Sequence, residues 1–210
     1  MIKVLIADDH AVVRSGLKQI LAETTDIVVA GEAANGREAL EKVRAQSWDV
    51  LVLDITMPGR SGLDILKDIR QTHRELPVLV LSMHAEEQFA TRMLKAGASG
   101  YLNKESAPDE LVKAIRKVHA GGKYISAAQA ERMVTELTGD PNKLPHELLS
   151  DREYEILCLI GSGKTATEIA RELSLSVKTV STYRSRILEK LHLSTNAQLT
   201  HYAIKSGLVE

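Results

Sequence analysis

Aromatic side chains are scarce in this sequence, at 3%, so a core must be built from Leu, Ile, Val and Ala. Cysteine is rarer still. Cys158 stands alone, which excludes a disulfide framework and a cysteine-based metal cluster. Its setting, Ile156-Leu157-Cys158-Leu159-Ile160, marks a core thiol rather than a nucleophile. Neither sign of charge dominates: the net value is −1, which gives no global pull towards nucleic acid or membrane. The first residues, Met1 to Asp8, lack a signal-peptide cleavage pattern, and their apolar run is too short to span a bilayer. A cytoplasmic location with no membrane partner is the expectation.

What is present suits one or two globular domains: 210 residues, 44% hydrophobic and 26% charged. The stretch Trp48 to Gly62 organises the first part. Val50, Leu51, Val52 and Leu53 form an unbroken apolar run, the pattern of a strand buried on both faces of a parallel sheet. Asp54 closes it, and Met57-Pro58-Gly59 and Ser61-Gly62 turn the chain. Such an Asp can cap a turn. It can also do chemistry, because open parallel sheets bind ligands at the C-terminal ends of their strands. The other strand ends decide.

Four further strands are expected, over 3–7, 27–30, 76–82 and 99–103. Helical patterns lie between them, carrying Val12, Val13, Leu17, Ile20 and Leu21; Ala39, Leu40 and Val43; Leu63, Ile65, Leu66 and Ile69; a segment near 86–96; and Leu111, Val112, Ile115 and Val118. This alternation implies a doubly wound, five-stranded parallel sheet with helices on both faces. No glycine-rich phosphate loop follows the first strand. Asp8-Asp9 stands there instead and would repel a nucleotide phosphate, which argues against a flavin or dinucleotide binder.

Read together, the strands end on Asp8 and Asp9, Asp54, Ser82 and Lys104. Crowded carboxylates repel one another unless a cation sits among them. Oxygen ligands without His or Cys suit Mg²⁺. A lysine and a hydroxyl can bind the remaining oxygens of a phosphoryl group, so the set fits a carboxylate nucleophile that accepts phosphoryl.

These residues, with Tyr101 beside the last strand end, make residues 1–122 resemble a response-regulator receiver domain of the flavodoxin-like fold. The resemblance implies Asp54 as phosphoacceptor for a partner sensor histidine kinase. It implies Mg²⁺ held by Asp9, Asp54 and the Thr56 backbone carbonyl, with Asp8 acting mainly through water. Lys104 would neutralise charge, and Ser82 with Tyr101 would form the switch pair. Many receivers carry proline after the lysine; here the residue is Glu105. Thr56 and His84 lie where receivers tune phosphoryl lifetime, so replacing either is expected to change the dephosphorylation rate more than the phosphorylation yield.

Residues 123–146 read as a linker, with a short helix over 127–137 and then Gly139, Pro141 and Pro145. Residues 147–210 read as all helix. Ser150 to Glu153 is a capping box, Thr165 and Thr195-Asn196 open further helices, and Ser174-Leu175-Ser176 is a tight turn. The helix after that turn has Val177, Val180, Ile187, Leu188 and Leu191 as its apolar face; the last helix carries Leu199, Ala203 and Ile204. Two helices joined this way are the layout of a helix-turn-helix. The segment holds eight Lys/Arg and eight Asp/Glu, yet within 178–190 four basic residues oppose Glu189 alone, a local +3. A basic, solvated helix face would look the same by charge.

Leu149 to Glu153, Glu168 to Leu173, Val177 to Tyr183 and Ile187 to Leu191 resemble a LuxR-type helix-turn-helix of the NarL/FixJ family. The resemblance implies that Ser181, Thr182 and Ser185 face bases and that Lys178, Thr179, Tyr183, Arg184 and Arg186 hold phosphates of double-stranded DNA, with Val180 in the core. It implies a homodimer when phosphorylated and admits RNA polymerase as a further partner. No enzyme is expected beyond self-phosphorylation or self-dephosphorylation. The rivals are a Mg²⁺-dependent phosphatase working through an aspartyl-phosphate, and a signalling protein whose helical domain binds protein.

Overall fold

A computed structural model describes residues 1–57, 62–82, 87–126, 130 and 144–209, with residues 87–89, 147 and 151 described by their backbone only. The chain forms two compact units, Met1–Ala130 and Glu131–Glu210.

The first unit alternates β1 (Ile2–Ala7), α1 (Ala11–Ala22), β2 (Ile27–Ala33), α2 (Gly36–Ala45), β3 (Val50–Asp54), α3 (Gly62–Thr72), β4 (Val78–Ser82), α4 (Glu87–Lys95), β5 (Gly100–Asn103) and α5 (Ala107–His119). All strands are parallel, in the order β2-β1-β3-β4-β5. Every residue of β3 and β4 is buried, as unbroken apolar runs require when helices cover both faces. Leu17 and Leu21 of α1 and Leu111, Ala114, Ile115 and Val118 of α5 pack onto one face. Leu63, Ile65, Leu66 and Ile69 of α3 are buried as their spacing implied.

In this unit four strand boundaries and one core assignment differ from the sequence reading; β1 begins at Ile2 rather than Lys3. Strand β2 passes through Gly31 to Ala33, because a bulge after Val29 absorbs Ala30 and pairing resumes at Leu5 with Gly31. Strand β4 begins at Val78 rather than Leu76. Pro77 still serves the sheet, its carbonyl accepting from Leu51 N at 2.9 Å. The last strand starts at Gly100 rather than Ser99. Val12 is 85% exposed because it lies away from the Leu17–Leu21 stripe of α1. Past Gly122 the chain still pairs with the sheet: Tyr124 N donates to Ser99 O and Tyr101 N to Tyr124 O, each at 3.0 Å.

Among its described residues the second unit has a 3-10 turn (Pro145–Leu148) and four helices: α6 (Asp151–Gly161), α7 (Ala166–Glu172), α8 (Val177–Lys190) and α9 (Asn196–Lys205). Capping boxes start three of them, through Ser150 with Glu153, Thr165 with Glu168, and Thr195 with Gln198. Ser176 caps α8 by accepting from Thr179 N. Ile156, Leu157, Cys158, Leu159, Ile160, Ile169, Leu173, Val180, Ile187, Leu199 and Ala203 are buried together with Tyr154. Two expected core residues are exposed. Val177, at 45%, stands at the first position of α8, and Ile204, at 53%, is about 100° round α9 from Ala203. The expected helix over 127–137 lies outside the described residues, Ala130 excepted. Among the described residues no helix is long and apolar enough to cross a membrane.

Candidate functional site

Register brings the acidic residues together. Ala7 pairs with Leu53 and Asp54 with Leu81, so Asp8 and Asp54 leave adjacent strands side by side. Asp8, Asp54 and Ser82 are fully buried; the Asp9 side chain is 22% exposed. Gly62, at the start of α3, returns to the strand end, its N–H donating to Ile55 O at 3.1 Å. Only glycine fits there, since a Cβ would lie 2.4 Å from the Ile55 Cα. Thr56 enters the cluster by its backbone N–H, which donates to Asp54 Oδ1 at 3.0 Å. Lys104 is fixed to the end of β4 by its own N–H, which donates to Ser82 O at 2.8 Å.

The Lys104 ammonium is the centre of the pocket. Nζ donates to Asp54 Oδ2 at 2.7 Å and lies 2.7 Å from Asp8 Oδ2, an ion contact without hydrogen-bond alignment. Burial pushes the Asp54 carboxyl above its ordinary range, against the pull of Lys104. Burial pulls the ammonium down, but Asp54 and Asp8 outweigh it and Lys104 titrates above its ordinary value. The ammonium thus faces two acids, Asp8 and Asp54.

Buried Asp8 Oδ2 and Asp9 Oδ1 accept no aligned hydrogen bond. Donor atoms of Asp8, Asp9, His10 and Asp54 all lie within 4.8 Å of one another. Oxygen donors short of protons at that spacing fit a divalent cation.

Two contributors escape the sequence reading. His10 donates its backbone N–H to Asp8 Oδ1 at 2.7 Å, and its Nδ1 lies 2.9 Å from Asp9 Oδ1. Arg14 Nη1 donates to the Asp8 carbonyl at 2.7 Å. Their signal was position alone, directly after the acid pair and one helical turn later. Tyr101 is buried opposite Val80 on β4, two residues before Asn103, the partner of Ser82. His84 lies outside the described residues, as do Pro58, Gly59 and Ser61.

On α8, Lys178, Ser181, Thr182, Ser185 and Arg186 are exposed; Thr179, Tyr183 and Arg184 are half-buried, and Val180 is core. Thr182 and Ser185 turn their hydroxyls to the carbonyls of Lys178 and Ser181, at 3.0 and 3.1 Å. Thr179 Oγ1 meets Ser176 Oγ at 2.7 Å. Arg184 Nε donates to Asn196 Oδ1 at the start of α9, and the Arg186 guanidinium lies 6.0 Å from the Tyr183 ring centroid. Lys190 is spent within the fold, donating to Glu153 Oε2 at 2.6 Å. The local charge is therefore smaller than residue counting gives.

Residues 4–116 match the model of the response regulator receiver domain, and residues 147–203 match that of bacterial regulatory proteins of the luxR family. The chain is 38% identical over 209 residues to Response regulator UvrY of Escherichia coli (strain K12), covering 99% of this chain and 96% of that protein. The chain belongs to the NarL/FixJ family of two-component response regulators. Response regulator GacA of Pseudomonas syringae pv. syringae (strain B728a) is similar too, 41% identical over 212 residues covering 100% of this chain and 99% of that one. A solved structure of the RcsB response regulator of Salmonella typhimurium aligns with a TM-score of 0.71 at 27% identity, over 96% of each chain. RcsB of Salmonella enterica serovar Typhimurium bound to promoter rprA in the presence of phosphomimetic BeF3⁻ aligns with a TM-score of 0.67 at 27% identity, over 96% of this chain and 97% of that one. This response regulator thus pairs a receiver domain, whose acidic cluster can hold a metal ion, with a LuxR-type DNA-binding domain that regulates transcription.

Proposed function

We propose that Asp54 accepts a phosphoryl group from a sensor histidine kinase and that this charge controls dimerisation and sequence-specific binding to promoter DNA. The observation that carries the reading is the Lys104 ammonium held against both Asp54 and Asp8 at 2.7 Å at the mouth of the sheet. The Asp54 oxygen attacks phosphorus as the bond from phosphorus to the kinase histidine breaks. Lys104 then neutralises part of the charge the phosphoryl group brings. Asp9, Asp54 and the Thr56 carbonyl would hold Mg²⁺, with Asp8 contributing mainly through water. The ion supplies neutralisation of the phosphoryl oxygens. Ser82 and Tyr101 respond as the switch pair, because a phosphoryl group shifts only states that bind it differently.

In the helical domain Ser181, Thr182 and Ser185 face base edges, while Lys178, Thr179, Tyr183, Arg184 and Arg186 hold phosphates. The two back-bonded hydroxyls keep a free lone pair for base donors. Specificity draws partly on DNA shape and on two copies binding a repeat, since one such domain buries little surface. The protein works in the cytoplasm, where RNA polymerase is a further partner. Incubation with acetyl phosphate and Mg²⁺ followed by intact-mass measurement tests the reading. The wild type gains one phosphoryl group and Asp54→Asn gains none; equal labelling of both contradicts it.

A further inference from the structure

Resting on the same reading of the acidic cluster, we propose that His10 is a direct ligand of its cation, through Nδ1. The site then takes an imidazole alongside its carboxylates and favours borderline divalent ions such as Ni²⁺ over Mg²⁺ far more than carboxylates alone would.

Three observations carry this. The His10 side chain does no work for the fold. It stands at the N-cap position of α1, makes no capping hydrogen bond, and is 62% exposed. Its ring is nevertheless aimed at the acids, with Nδ1 2.9 Å from Asp9 Oδ1 and 3.4 Å from Asp8 Oδ1. Neighbouring ligands of an octahedral ion with bonds of about 2.1 Å lie about 3.0 Å apart, so the first distance is that of two adjacent ligands. Finally, Asp9 Oδ1 is buried and accepts no aligned hydrogen bond, and ligand atoms of Asp8, Asp9, His10 and Asp54 all lie within 4.8 Å of one another. The backbone N–H of His10, bonded to Asp8 Oδ1 at 2.7 Å, fixes the ring's origin. Imidazole suits Ni²⁺, Zn²⁺ and Fe²⁺, whereas Mg²⁺ prefers carboxylate, carbonyl and water. The consequence is selectivity.

The test is calorimetric titration of the full chain with Ni²⁺ and, separately, Mg²⁺, for wild type, His10→Ala and Asp9→Ala. Ni²⁺ bound by Asp9→Ala belongs to the other imidazoles of the chain, which has seven histidines in all, and is subtracted. His10→Ala should weaken the remaining Ni²⁺ binding by about tenfold or more while changing Mg²⁺ affinity by less than about twofold. Unchanged or tighter Ni²⁺ binding by His10→Ala, with Mg²⁺ still bound, overturns the role of His10 and leaves the cation site standing. Failure of the wild type to bind either ion beyond what Asp9→Ala binds overturns both.

Discussion

Lys104 is the residue on which the pocket's energetics turn. Its ammonium is the positive charge seen against both Asp8 and Asp54, all three side chains being at most 8% exposed. Removing one partner of a buried ionic set leaves charge without compensation, which costs far more than the set contributes in place. Lys104→Ala should therefore destabilise the receiver by about 3 kcal/mol, as read by urea unfolding. Mg²⁺ should restore part of the loss by taking the ammonium's place among the acids. Full stability without Mg²⁺ would mean that the acids tolerate one another unaided. At this scale the acid residues and the lysine were legible in sequence because each closes an apolar strand run. His10 and Arg14 were not, since a His or Arg near a helix start has many ordinary roles and only coordinates show where its nitrogens point.

Among elements, α8 is linked to α6 by an ion pair whose acid is buried. Glu153, 3% exposed, accepts from Lys190 Nζ at 2.6 Å and from the Ser150 backbone N–H at 2.7 Å. Burial pushes its carboxyl up, but Lys190 and Ser150 outweigh that, and it titrates below the ordinary value of 4.5. An unfolded carboxyl takes its proton first as pH falls. The stabilisation is thus complete above the ordinary value and is lost as pH drops through the lower folded one. Urea midpoints of the helical unit should fall from about pH 5 downwards, and Glu153→Gln should be less stable at neutral pH with a flatter acid limb. An identical acid limb in the variant would remove Glu153 from the account. The capping box containing Glu153 was legible, since its two residues are three apart. Its bond to Lys190 spans 37 residues and was not, so counting gave α8 a charge that the fold partly consumes. Strands β3 and β4 were legible from short unbroken apolar runs bounded by turn residues. Strand β2 was read short because Gly31 reads as a stop, whereas the bulge at Ala30 carries the strand past it.

Taken whole, the molecule is two units with different chemistry. One gathers carboxylates and a lysine at a sheet edge, and the other presents a polar, mildly basic helix. Both units could be read from sequence because each is built from short-range patterns, strand runs in one and capping boxes in the other. The central claim is that they communicate: charge added at Asp54 changes binding by α8. A DNA mobility shift with wild type and Asp54→Ala, each with Mg²⁺ and with or without acetyl phosphate, tests it most directly. Acetyl phosphate should tighten DNA binding by the wild type by about tenfold, a typical coupling of 1–3 kcal/mol, and leave Asp54→Ala unmoved. Equal binding by both proteins under both conditions would contradict the claim.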